Sequence, residues 1–113
     1  MLKQIEKLSR WKSGDSRPVA TIELTDQEII NATGLDFSSG CEDGWGEWLA
    51  VGGELSTGDQ VEIIRYPESP YPDHYIIRID FEADINRVSA LVFKELGISL
   101  STVRWQCEEL TLY

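Results

Sequence analysis

Soft metal ligands and general bases are scarce in this chain: its 113 residues include one histidine, His74, and two cysteines, Cys41 and Cys107. The cysteines lie far apart, no CxxC pair occurs, and three such residues offer no spacing suited to zinc. No nucleophile stands in a motif beside a base. There is no GxSxG elbow and no Walker-type phosphate loop, and Gly52-Gly53 and Gly58 read as turn residues. Asp36 to Glu47 has the length of a calcium loop, but Cys41 stands where such a loop needs glycine. Paired carboxylates can do acid–base work, yet with 20 acids present any two can fall together, so their presence selects nothing. Catalytic residues, a bound metal and a cofactor are therefore not expected. Long apolar runs are missing too. No stretch approaches the roughly 18 residues of a membrane-crossing helix, and Met1 to Trp11 lacks the apolar segment of a signal peptide. The expectation is a soluble cytoplasmic protein that does not engage a membrane, with reduced thiols and no Cys41–Cys107 disulfide.

Basic side chains are the next scarcity, 10 against 20 acids, for a net charge of −10 and a pI of about 4.4. The imbalance is uneven. Met1 to Ala20 holds five bases and two acids, whereas Glu42 to Asp84 holds eleven acids and only Arg65 and Arg78, a net −9. Such a field keeps a protein soluble, repels nucleic-acid phosphates and anionic membranes, and draws basic partners. Nucleic acid is thus not an expected partner. A 42% share of hydrophobic residues with four tryptophans fits one folded domain over residues 1–113 and not a disordered acidic tail.

The periodicities predict the elements. Tyr75, Ile77 and Ile79 alternate with Ile76 and Arg78, which predicts a strand over His74–Asp80. Ile85, Val88, Leu91 and Val92 recur at three and four, predicting a helix to Leu96 with Asp84 as N-cap and Gly97 as stop. Thr25-Asp26-Gln27-Glu28 is a capping box, and Gly34 ends the helix Asp26–Thr33 that it opens. Val19–Leu24, Glu47–Val51, Val61–Tyr66 and Thr102–Leu112 read as further strands, with Val103, Trp105 and Cys107 on one face of the last. Leu35–Gly46 reads as loop, and Leu2, Ile5, Leu8 and Trp11 as a short N-terminal helix. Together these predict an α+β fold: two layers, a mostly antiparallel sheet of about five strands with helices on one face.

Two segments combine aromatic rings with carboxylates. The first is Glu42, Asp43, Trp45 and Glu47, where glycines on both sides of Trp45 leave little local structure to hide the ring. Trp48, beside Leu49 and Val51, is expected in the core. The second is Glu68, Tyr71 and Asp73 in a loop stiffened by Pro67, Pro70 and Pro72, which lowers the cost of ordering it on binding. Tryptophan and tyrosine are common anchors of interfaces, and flanking carboxylates steer a basic partner. In format and charge the chain resembles bacterial toxin-neutralising immunity proteins. That resemblance implies an inhibitor binding a cognate basic toxin domain, such as a nuclease, with carboxylates standing in for phosphates. Glu42, Asp43, Trp45, Glu47, Glu68, Tyr71 and Asp73 are the expected contacts. A regulatory or structural interaction domain, which would add a partner strand at the sheet edge, and a small-ligand-binding domain remain the alternatives.

Overall fold

The alternation of Tyr75, Ile77 and Ile79 with Ile76 and Arg78 is realised as a strand inside an antiparallel sheet. The computed structural model describes residues 3–4, 11–44 and 46–111. Within them the chain runs β1 (Lys3–Gln4), β2 (Ser16–Glu23), α1 (Asp26–Thr33), β3 (Ser38–Glu42), β4 (Gly46–Glu54), β5 (Gln60–Arg65), β6 (His74–Asp80), α2 (Ile85–Leu96) and β7 (Val103–Gln106). The sheet order is β1-β4-β5-β6-β2-β7, and β3 shares the outer edge of β4 with β1. All pairings among the described residues are antiparallel.

This is the expected α+β architecture with more strands than the patterning announced. β3 occupies part of the Leu35–Gly46 stretch predicted as loop. Its Ser-Ser-Gly-Cys-Glu sequence lacks alternation, and the strand forms because β4 offers it an edge, a tertiary effect that overrides propensity. Lys3 and Gln4 pair with Glu54 and Gly53 instead of starting a helix, and Trp11 is not helical. The rest of that predicted N-terminal helix lies outside the described residues. The last strand stops at Gln106 and not at Leu112.

The core lies between the helices and one face of the sheet. Ile77 pairs with Ala20 on one side and Ile63 on the other, and Ile79 with Val61. Ile29 of α1 and Val88, Val92, Phe93 and Leu96 of α2 complete the same buried cluster. Between Pro18 and Ala20 the register against β6 slips by one residue, so Val19 is a bulge and Val19 and Ala20 are both buried. A bulge is also where a paired strand tolerates a proline. Both helix starts are capped as predicted. Thr25 Oγ1 accepts from Glu28 N–H at 3.2 Å while the Glu28 carboxylate accepts from Thr25 N–H at 3.0 Å. Asp84 accepts from Arg87 N–H at 2.9 Å. Gly34 and Gly97 end the helices in the left-handed region, at φ 71° and 64°.

At the end of the sheet where β2 begins and β6 finishes, acids work for the fold. Arg87 donates to both oxygens of Asp59, at 2.9 and 3.3 Å, and holds that carboxyl below its ordinary value. Asp80, 8% exposed, would be pushed up by burial, but the backbone N–H groups of Ser13 and Glu82, at 2.9 and 3.0 Å, outweigh this and hold it down. A depressed carboxyl stabilises the fold above its unfolded pKa of about 3.9 and loses that contribution as pH falls through the folded value. Thermal unfolding should therefore be insensitive to pH down to about 4 and weaken below it. Asp80→Asn is expected to be less stable at neutral pH and to have a shallower acid limb; an unchanged limb would contradict the assignment.

Candidate protein-binding surface

The register places Ala50, Ile64, Ile76, Thr21 and Trp105 in one row across the sheet. None of them belongs to the core cluster: this row lies on the face turned away from the helices, because alternate residues point to opposite sides. Trp105 reaches it through a second bulge. Thr21 opposes Trp105 while the next residue, Ile22, opposes Val103, so Arg104 is unopposed. Val103 and Trp105 consequently face opposite sides. The predicted grouping of Trp105 with Val103 and Cys107 is corrected: Cys107 is buried in the core, Val103 packs against it, and Trp105 is 47% exposed on the outer face.

Trp48 departs from expectation in the same way. Two residues from Ala50 on β4, it shares the outer face, and its indole lies on Gly40 of β3, where a side chain would collide with the ring. It is half-buried against the hairpin and is not part of the core.

The proline-rich loop folds over this face at the end where β4 begins. Turn bonds from Ser69 N–H to Tyr66 O (3.0 Å) and from His74 N–H to Tyr71 O (3.1 Å) shape it. Arg65 pins it: the guanidinium donates to Pro72 O at 3.0 Å, to Asp26 at 3.0 Å and to the Tyr75 hydroxyl at 3.3 Å. Tyr75 in turn donates to Asp26. Burial, together with that bond, pushes the Tyr75 phenol well above its ordinary value, so it remains a donor and is no nucleophile. Tyr71 stacks on His74 with ring centres 5.3 Å apart.

Loop and sheet enclose a groove of about 530 Å³. Ile76 and Thr21 form its floor, Tyr66, Pro70 and Tyr71 the loop side, and Trp105 the side of β7. His74 and Arg104 also line it. Arg104 donates to Glu23 at 2.7 Å and to the carbonyls of Ser101 and Val103 at 2.8 and 3.3 Å. The hydrogen bond from Arg104 holds the Glu23 carboxyl below its ordinary value, and His74 Nε2 sits 3.8 Å from the same carboxylate.

Most of the predicted contact residues gather at this end. Asp43 lies exposed in the β3–β4 turn, and Asp73 is exposed in the loop. Tyr71 is 67% exposed. The Glu68 carboxylate lies against Gly46, in space that a side chain at position 46 would enter. The two segments, separate in sequence, thus touch. Glu47 is the exception: it is exposed, but it projects from the opposite face of β4 to Trp48 and Gly46, away from the groove. Trp45 and the Glu42 side chain lie outside the described residues. Asp43, Glu68 and Asp73 form no ion pair among the described residues. Within the negative segment Asp59, Asp80 and Asp84 are committed to structure at the far end, where Glu82 is exposed. No family model, curated protein or solved structure matches this chain.

Among the described residues no group of three His, Cys, Asp or Glu side chains could hold a metal ion, and no helix is long and apolar enough to cross a membrane. Cys41 is exposed and Cys107 buried, both free. Sequence reasoning missed Trp105, Tyr66, His74, Ile76 and Arg104. Their one signal was Arg104-Trp105, a cation beside a large ring in a short strand, which strict alternation assigned to the wrong face.

Proposed function

We propose that this chain is a toxin-neutralising inhibitor that binds a basic partner domain, such as a nuclease, through the end of the sheet carrying the β3–β4 turn and the proline-rich loop. The observation that supports this most is the meeting of the two acidic, aromatic segments, with Glu68 lying over Gly46. Free carboxylates at Asp43, Glu68 and Asp73 take the place of phosphates in the partner's cationic cleft and steer its approach. The Arg65 bonds order the loop beforehand, so little conformational freedom is lost on docking. The apolar groove favours a second reading, a domain that binds a small ligand.

The test is capture with the tagged chain in the cells that make it, followed by assay of the purified pair. The expected partner is a basic protein whose activity stops at a one-to-one ratio with the chain. A captured partner that is acidic, or that stays active in the complex, would overturn the reading.

A further inference from the structure

We propose that the groove on the outer face of the sheet is a binding site for a small, uncharged, flat aromatic molecule, its ring held between Tyr71 and Trp105 over Ile76. This goes beyond the inhibitor reading, which neither requires it nor falls with it.

Three observations converge. The first is shape. The loop and strands β6, β2 and β7 enclose about 530 Å³, a volume in the range of sites that take one small molecule. The loop wall is held by the protein's own contacts: Tyr71 stacks on His74 with ring centres 5.3 Å apart, and Arg65 donates to Pro72 O at 3.0 Å. Little ordering is left for a ligand to impose.

The second is aromatic surface. Four large apolar side chains are exposed among the described residues, and two of them, Tyr71 and Trp105, stand on opposite sides of this groove. Tyr66, Pro70 and Ile76 complete the apolar lining. A flat ring reaches both exposed rings at once and gains stacked or edge-on contacts that an aliphatic group of the same size cannot make.

The third is charge. No acid lines the groove, and its two basic side chains, Arg104 and His74, both face Glu23 outside the lining, at 2.7 and 3.8 Å. A ligand carboxylate would contend with Glu23 for Arg104. An ammonium group would lie near a guanidinium with no acid in the lining to answer it. Either ion would give up water without a new counter-charge, whereas a neutral ring avoids that cost. The Thr21 hydroxyl on the floor forms no hydrogen bond among the described residues and can orient one neutral polar group of the ligand.

The experiment is an NMR titration of the isotope-labelled full chain, at physiological salt, with four probes of matched size: phenylacetamide, phenylacetate, phenethylammonium and cyclohexylacetamide. The Trp105 indole N–H and the backbone N–H groups of Tyr71 and Ile76 are the reporters. Phenylacetamide should shift all three saturably at millimolar concentration. The two ions should bind more weakly, and cyclohexylacetamide about three- to tenfold more weakly. Tyr71→Ala should weaken phenylacetamide by a similar factor, while Phe81→Ala, which removes an exposed ring outside the groove, should leave it unchanged. Equal or tighter binding of either ion or of the cyclohexyl amide would overturn the assignment. So would shifts outside the groove lining or indifference to Tyr71→Ala. Tighter binding of N-acetyl-phenylalanine amide than of phenylacetamide would overturn it in favour of a side chain of a partner protein. The probes need no partner, so a failure here leaves the inhibitor reading standing. That reading fails separately, if the captured protein is not basic or not inhibited.

Discussion

If the proposed basic partner docks at the loop end, reversing Asp43, Glu68 and Asp73 together to lysine should slow its association by about ten- to a hundredfold at low salt, because steering by a focused field accounts for rate gains of that order. The fold should scarcely notice. None of the three carboxylates forms an ion pair among the described residues, and exposed unpaired charges contribute little to stability. The charge-matched comparison is one reversal against another: Asp73→Lys alone should slow association, whereas Glu82→Lys, exposed in the turn after β6 at the far end of the sheet, makes the same charge change away from the proposed docking end and should leave the rate close to that of the parent. Stopped-flow mixing of the purified pair reads both. Equal slowing by Glu82→Lys would show that total charge matters and the loop end does not.

The second large effect is on stability. Ile77→Ala should cost about 2–5 kcal/mol, the range for deleting a buried aliphatic side chain where the surroundings cannot collapse. Ile77 is fully buried between Ala20 and Ile63, in the cluster that both helices close. Its neighbour Ile76 is only half-buried, on the groove floor, so Ile76→Ala should cost about 1 kcal/mol, in keeping with partial loss of contact. Denaturant midpoints at constant slope measure the difference. Similar costs at 76 and 77 would mean that the two faces of β6 are not distinguished as described, and the groove would lose its floor.

How much of this was readable beforehand depends on whether the signal is local. The capping box at Thr25, the caps at Asp84 and Gly97, and the periods of β6 and α2 are written within a few residues, and each element was predicted where it occurs. β3 has no such signature. Its strand conformation comes from the edge of β4, and no pattern in Ser38–Glu42 reveals that edge. The two bulges were equally silent. An extra residue at Val19 or Arg104 changes which face every later side chain takes, without altering composition, and that is why strict alternation groups Trp105 with Val103 and Cys107. For the surface, Asp43, Glu68, Tyr71 and Asp73 were legible as acids and a ring in turn-forming stretches. Their meeting was not, since it depends on the path of the loop pinned by Arg65 and on the missing side chain at Gly46. Glu47 was grouped with them by proximity in sequence and separated by strand parity.

The most direct measurement is the association rate of the purified chain and its captured partner across a series of salt concentrations. A docking end made of free carboxylates predicts a rate that falls about tenfold or more from low to physiological ionic strength, with dissociation far less affected. A rate indifferent to salt would contradict it.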